Sequence, residues 1–128
     1  MMFDLTGQKA IVTGGTRGLG RAIAEAYHEQ GAEVVIISTT DACHKAAAEI
    51  ASDGGAPVHG VACDLSNRDA LRRGFQEALE LLGGRLDILY NNAGINRNHK
   101  SQDFPEEDWD MIRKVNYDAV FLMSQLAA

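Results

Sequence analysis

A chain of 128 residues, 45% hydrophobic and 23% charged, with a formal net charge of −6, has the composition of one soluble globular domain. The negative charge argues against a nucleic-acid partner, because no basic stripe is available to neutralise phosphates. No apolar run approaches the roughly 20 residues of a membrane span, no secretory leader is visible, and Cys43 and Cys63 are too few for a zinc site, so we expect a cytoplasmic protein with no membrane and no metal.

The predicted elements alternate between short apolar strands and longer periodic helices. Strands rich in Val and Ile are predicted at residues 10–13, 34–37, 58–63 and 86–90, as in a parallel sheet covered on both faces. Helices are predicted at residues 19–30 and 42–51, over an apolar stripe at 71–82, and from near residue 105 onward. This alternation predicts an α/β fold, a Rossmann-type doubly wound parallel sheet with strand order 3-2-1-4, in one domain over residues 1–128.

The last two helices carry start signals. Ser66, with Asp69 three residues later, resembles a capping box before the third helix. Three acidic residues follow Pro105, where they favour the positive end of a helix dipole. The apolar stripe of that last helix is predicted to consist of Trp109, Ile112, Asn116, Ala119 or Val120, and Met123.

A glycine-rich turn, Thr13 to Gly20, joins the first strand to the first helix with the spacing G-x-x-x-G-x-G. Gly14 and Gly15 are expected to allow the backbone angles of a sharp turn, and Gly18 to remove a Cβ that would keep a phosphate away. Gly20 is expected to let the helix pack closely on its strand. The first turn of a helix has unpaired N–H groups and a partial positive charge, so the turn predicts a diphosphate site; a flexible loop is the alternative.

Three turns are predicted to converge on one edge of this sheet. The carboxyl ends of parallel strands meet there, beside strand 1, where the strand order reverses and ligands bind. The turns are the glycine turn, Asp64 after strand 3, and the run Asn91-Asn92-Ala93-Gly94 after strand 4.

Taken together, these residues resemble the short-chain dehydrogenase/reductase family. The resemblance rests on Thr13-Gly14-x-x-x-Gly18-x-Gly20, Asp64-Leu65, Asn91-Asn92-Ala93-Gly94 and Asn116, in that order, and extends from Gly7 to the last residue. It implies the NAD(P)-binding portion of an oxidoreductase similar to 3-oxoacyl carrier-protein reductases and sugar-acid dehydrogenases. Such enzymes transfer a hydride between the nicotinamide and a small-molecule carbonyl or secondary alcohol.

The resemblance also implies roles for individual residues. The glycine turn would hold the diphosphate, Asp64 would accept a hydrogen bond from the adenine amino group, and Asn116 would hold a water in a proton relay to an active-site lysine. For Asp64 the alternative is a solvated loop carboxylate, and for Asn116 it is the capping of a local helix distortion. The cofactor-binding set is Gly14, Thr16, Arg17, Gly18, Leu19, Gly20, Ser38, Thr39, Asp64, Leu65, Asn91, Ala93 and Gly94, and the catalytic candidate is Asn116.

The residues at the end of strand 2 favour NADP over NAD. NAD-preferring enzymes place a carboxylate there to bind the adenosine ribose, whereas this chain has Ser38-Thr39-Thr40. In similar NADP-dependent reductases an arginine at the place of Arg17 meets the 2′-phosphate, through a charge-assisted pair. Asp41 supports the opposite choice, because a slightly shorter strand would bring it to the ribose.

The family's proton-transfer residues, a serine and a Tyr-x-x-x-Lys pair, have no counterpart here. The residues four beyond Tyr27, Tyr90 and Tyr117 are Gly31, Gly94 and Phe121, and a lone loop histidine such as His99 is usually solvated. We therefore expect this chain to be inactive by itself, a domain truncated after its fourth strand and following helix. A non-catalytic nucleotide-binding module and an inactive truncated product are the alternatives. The bases of the loop at residues 95–100 would suit an anionic substrate, or only form a solvated surface.

An oligomer is also expected. Residues 86–90 would form a bare sheet edge with apolar faces, a liability for pairing or aggregation. The apolar face of the last helix would also lack part of its cover. The sequence therefore predicts a homo-oligomer, or a swapped or poorly soluble chain.

Overall fold

The computed structural model describes residues 3–95 and 97–128. Its centre is a sheet of four strands, β1 Lys9–Thr13, β2 Glu33–Ser38, β3 Val58–Ala62 and β4 Ile88–Asn91. The strands are all parallel and lie in the order β3-β2-β1-β4, which confirms the predicted α/β class and strand order.

Helices cover both faces of this sheet. The helices are α1 Gly18–Glu29, α2 Ala42–Ala51, α3 Arg68–Leu81, α4 Glu106–Arg113 and α5 Ala119–Ala127, with a 3₁₀ turn at Ser101–Asp103. Between α4 and α5 the chain makes one π-helical segment, Lys114–Asp118, so the single last helix of the prediction is one rod with a wider turn inside it.

Alternate residues of the central strands point to opposite faces, as the pleat requires. Ile11 of β1 and Val35 of β2 face a core shared with α3 and α5, which contains Phe75 and Leu122. Val12 lies in the other core, which is shared with α1 and α2. Because both faces are buried, these strands are continuous apolar runs, as the sequence indicated.

Polar side chains link all four strands at the amino edge of the sheet. Lys9 Nζ donates to Glu33 Oε1 at 2.5 Å, and Glu33 Oε2 lies 2.8 Å from His59 Nε2. Asp87, just before β4, accepts from the backbone N–H of Lys9 at 2.8 Å and from Arg85 Nε at 3.2 Å. We call Lys9, Glu33, His59 and Asp87 the amino-edge cluster.

Three local predictions are wrong. The cap of α3 is Asn67, whose side chain accepts from the N–H of Ala70, while Ser66 instead donates to Asp64. Gly15 does not have a positive φ; glycine is required there because a Cβ would lie 2.8 Å from Ile36 Cγ2.

The predicted stripe of the last helix is also wrong at its start. Trp109 is 61% exposed and Asn116 is exposed, whereas Val115, Ala119, Leu122 and Met123 are buried. The π segment adds a residue to one turn, so the buried face before it does not continue with the same spacing after it.

Candidate functional site

The turn between β1 and α1 has the geometry of an anion site. Gly14 (φ +69°) donates its N–H to Ile37 O at 2.8 Å, which holds the turn to the end of β2. Gly18 (φ +59°) opens α1, and no atom lies within 4 Å of a Cβ placed on it. The space above the first turn of α1 is therefore open.

The amino end of α1 lacks a protein cap. Its N-cap, Arg17, makes no side-chain capping hydrogen bond, and no acidic residue lies in the first turn. By contrast, Asn67 caps α3, and three acidic residues occupy the first turn of α4. The free amides of α1 and its positive dipole end remain available to an anion.

Hydrogen bonds join this turn to the loop after β4. The backbone N–H groups of Asn92 and Ala93 both donate to Thr13 Oγ1 at 3.0 Å, and Asn92 Nδ2 donates to Gly14 O at 3.2 Å. A Cβ on Gly20 would lie 2.2 Å from Gly14 O and 2.4 Å from Asn92 Nδ2. Gly20 therefore permits the close approach of α1 to both turns, whereas the sequence had predicted that it lets the helix pack on its strand.

A cleft of about 310 Å³ lies over these turns at the carboxyl edge of the sheet. Nine predicted binding residues line it: Gly14, Thr16, Arg17, Gly18, Ser38, Thr39, Leu65, Ala93 and Gly94. Asn92, Ile95 and Val115 also line it and were not in the predicted set. Asn92 belongs to the Asn-Asn-Ala-Gly run after β4, so that motif already indicated its position, whereas no motif indicated Val115, which lies in the π segment.

The other predicted cofactor residues lie around this cleft rather than in its wall. Gly20 is buried beneath it, and Leu19 is 64% exposed on α1. Asp64 is exposed, and its Oδ1 accepts from Ser66 N at 2.9 Å and Ser66 Oγ at 2.6 Å. The side chain of Asn91 donates to Ser124 Oγ at 3.3 Å, so only its backbone reaches the carboxyl edge.

Asn116 makes a two-point contact with the loop after β4. Its Oδ1 accepts from the N–H of Ile95 and its Nδ2 donates to Ile95 O, both at 2.8 Å. Since Asn116 is in the π segment, this contact fixes the loop to the distorted turn of the helix. The contact accords with the alternative interpretation of Asn116, in which its side chain caps a local helix distortion.

Two further side chains have specific partners. His99 Nε2 lies 2.7 Å from Asp108 Oδ2, and its ring packs edge-on against Phe104.

Burial, with the charge of Asp64 beside it, raises the pKa of the Cys63 thiol to about 11. Cys63 is therefore protonated at neutral pH and is not a nucleophile. Of the anionic-substrate loop, residue 96 lies outside the described part of the chain.

Within the described residues, no group of three or more His, Cys, Asp or Glu side chains is arranged to hold a metal ion. Among the same residues, no helix has the length and apolar character needed to cross a bilayer.

The strand order and the glycine turn at its reversal define a Rossmann-type α/β protein. The sequence matches the family model described as short chain dehydrogenase over residues 8–128. The chain belongs to this family of NAD(P)-dependent oxidoreductases, as its motifs predicted.

Relatives of known function share this similarity over half of their own length. A 3-oxoacyl-acyl-carrier-protein reductase of Aquifex aeolicus is 40% identical over 126 residues, which are 98% of this chain and 50% of that protein. A 2-dehydro-3-deoxy-D-gluconate 5-dehydrogenase of Bacillus subtilis is 36% identical over 98% of this chain and 48% of its own. The chain thus spans about half the length of the curated relatives it matches.

Solved structures agree with this architecture. The L-sorbose reductase of Gluconobacter frateurii, complexed with NADPH and L-sorbose, superposes with a TM-score of 0.87 at 28% identity, over 98% of this chain and 48% of that one. The Pseudomonas aeruginosa RhlG/NADP active-site complex also gives a TM-score of 0.87, at 36% identity, over 98% and 49%.

Proposed function

We propose that this chain is a single dinucleotide-binding domain, the NADP(H)-binding part of an oxidoreductase that acts on a carbonyl or secondary alcohol. The observation that carries the proposal is the uncapped amino end of α1, which faces open space at Gly18. Buried, unpaired amides would be costly, whereas amides that face a cleft are suited to a diphosphate.

The cleft residues divide the cofactor between them in this proposal. Amides from Gly14 to Gly20 bind the diphosphate, and Asp64 with Leu65 holds the adenine. Asn91, Ala93 and Gly94 lie along the ribose and nicotinamide side, so the cofactor extends from β3 towards the loop after β4. When bound, NADPH would supply the hydride, while this chain positions it.

The end of β2 supports NADP rather than NAD. Ser38, Thr39 and Arg17 all line the cleft. Asp41 is three residues beyond the strand end, is 94% exposed and does not line the cleft. A 2′-phosphate would therefore meet a cation and hydroxyls, with no carboxylate to repel it.

Arg17→Gln tests this assignment in a fluorescence or calorimetric titration of NADPH and NADH. Loss of a charge-assisted contact of about 1.5–3 kcal/mol should weaken NADPH binding roughly tenfold or more and leave NADH binding unchanged. Arg21→Gln is the matched control, because Arg21 is one turn later and pairs with Glu25 and Glu49. If Asp41→Asn instead weakens NADH, and Arg17→Gln has no effect on NADPH, NAD is the cofactor.

A non-catalytic nucleotide-binding module remains a second candidate. It is favoured by one observation: none of the three tyrosines of the chain is followed four positions later by lysine. In either case Asn116 would hold a water through its backbone, since its side chain is occupied by Ile95. Dinucleotide binding without carbonyl reduction by the chain would support the module; no binding of either dinucleotide at millimolar concentration would exclude both.

The proposed substrate is a small carbonyl compound or alcohol. The Aquifex aeolicus reductase and the Bacillus subtilis dehydrogenase above are named for a 3-oxoacyl carrier-protein compound and a sugar-acid compound, and these are the first two substrate types to test. The loop after β4 contributes Arg97 and Lys100, which would favour an anionic group.

A further inference from the structure

A second cavity, of about 310 Å³, lies next to the cleft, between the start of α3 and the π segment. Its floor is apolar: Leu65, Leu71 and Leu122 line it and are 4%, 1% and 7% exposed. We call it the α3–π cavity. An apolar floor of buried leucines with an open mouth can accept a small apolar group from a ligand.

The rim of the α3–π cavity is positively charged. Arg68, Arg113 and Lys114 line it, against the single carboxylate of Asp118. Asp118 Oδ2 accepts from Arg113 Nη1 at 2.7 Å and lies 3.9 Å from Arg68 Nη2, so one anion is shared between two guanidinium groups. Outside the cavity, Arg113 has one more acidic neighbour, Asp110 at 3.9 Å.

Lys114 makes no ion pair with any residue in the described part of the chain. The rim therefore carries an excess of cations in a protein whose net charge is −6. Cations held close together repel each other, and this cost is relieved when an anion binds between them.

The π segment places these side chains. Lys114 and Asp118 are its first and last residues and line the α3–π cavity, whereas Val115 lines the dinucleotide cleft. Leu65 lines both. Insertions of this kind in helices occur frequently at functional sites.

We propose that the α3–π cavity binds a small phosphate monoester whose phosphate meets Arg68, Arg113 and Lys114 and whose apolar stem lies on the leucine floor. Arginine forks suit a tetrahedral oxyanion, and more than one cation suits a dianion. The volume is at the lower end of the range for ligand pockets, so the stem is short. The proposal stands independently of the dinucleotide cleft, with which it shares Leu65 alone.

Isothermal titration calorimetry with phenyl phosphate tests the site on the whole chain. We expect saturable binding at one site, weakened about tenfold by Lys114→Gln and by Arg68→Gln, since each removes one charged contact from a different element. Arg72→Gln is the matched control: Arg72 is one turn further along α3, pairs with Asp69 and does not line the cavity. Arg17→Gln should also leave this binding unchanged.

Two further arms sharpen the test. Asp118→Asn removes the competing carboxylate and should tighten phenyl phosphate binding severalfold, whereas inorganic phosphate, which lacks the stem, should bind more weakly. No saturable binding at millimolar concentration would overturn the proposal. So would binding that is lost in Arg17→Gln but kept in both rim variants, because the phosphate would then lie in the dinucleotide cleft.

Discussion

The glycines around the first turn serve different physical purposes. Gly14 and Gly18 have positive φ angles, and the space beside Gly18 is open. Gly15 and Gly20 are set by contact instead, the first with the side chain of Ile36 and the second with the carbonyl of Gly14. A larger residue should therefore strain the backbone at Gly14 and Gly18, and overlap neighbouring atoms at Gly15 and Gly20.

Gly20→Ala should destabilise the protein and weaken dinucleotide binding together. Its methyl group would overlap the backbone carbonyl of Gly14, which cannot rotate away, so we expect a loss of about 2–3 kcal/mol in the free energy of unfolding, measured in urea. Gly94→Ala is the matched control for stability, because its Cβ would lie 3.5 Å from the nearest atom, Asn116 Oδ1. Equal stability of the two variants would contradict this account.

For single residues, the sequence is informative where the role of a residue depends on its own backbone conformation and local spacing. Gly14, Gly18 and Gly20 could be interpreted from their spacing after a strand. The reason for Gly15 could not, because it depends on which side chain of β2 arrives against the turn. The partner of Asn116 was equally hidden, since Ile95 is distant in the chain and meets it only after folding.

Among the elements, neighbouring strands are linked by charged side chains at their amino ends. Burial alone would raise the pKa of the Glu33 carboxyl, but hydrogen bonds from Lys9 and His59, with their charges, outweigh it and lower that pKa. A carboxyl with a lowered folded-state pKa adds stability above its unfolded pKa, and that contribution is lost as pH falls through the folded value.

Glu33→Gln should therefore reduce stability in a pH-dependent way. At pH 7 we expect a loss of about 1–2 kcal/mol in urea unfolding, and the difference from the parent chain should shrink as pH falls below about 4. Glu77→Gln, at an exposed position of α3, is the control and should have little effect. A difference that stays constant from pH 7 to pH 3 would show that charge is not the cause.

A second prediction about the elements concerns the contact between the π segment and the loop after β4. Asn116→Ala removes both hydrogen bonds to Ile95, so the amide hydrogen of Ile95 should exchange faster with deuterium, while amides of β1 and β2 keep their rates. Unchanged exchange at Ile95 would mean that other contacts hold this loop.

Helix and strand positions could be predicted from periodicity, but this distortion could not. A stripe drawn at a constant 3.6 residues per turn places Trp109 and Met123 on one face. One additional residue in a single turn rotates the residues after it relative to those before it, so the two no longer lie on one face. The amino-acid composition of the segment does not indicate this insertion. The cap of α3 lies one residue later than predicted, at Asn67, and the side chain of Ser66 donates to Asp64 instead.

The molecule exposes large apolar side chains along its last helical rod. Tyr117 and Phe121 are 78% and 68% exposed and four residues apart along the last helical rod. β4 is an outer strand of the sheet, with β1 as its neighbour. An exposed aromatic pair and an unpaired strand edge both favour association.

Sedimentation velocity should therefore show self-association that rises with protein concentration. Phe121→Glu should shift the distribution towards monomer, because a carboxylate would have to be buried in the contact. Phe3→Glu, which changes an equally exposed phenylalanine elsewhere, should not. A compact monomer at every concentration would contradict the prediction of an oligomer.

Strand order was the most predictable property of the whole chain, because alternating strands and helices with right-handed crossovers leave few arrangements. Surfaces were less predictable. The α3–π cavity assembles residues 65–71 with residues 113–122, and no pattern in either stretch indicates the other.

The two ends of the strands are chemically unlike. At one end, acids and bases of neighbouring strands neutralise each other in the amino-edge cluster; at the other, the N-cap residue of α1 makes no side-chain capping hydrogen bond. Rigidity and ligand preference thus reside in separate sets of side chains, a strand's length apart. A variant library confined to residues 38–41 and Arg17 could retune which nucleotide is chosen while the melting temperature barely moves.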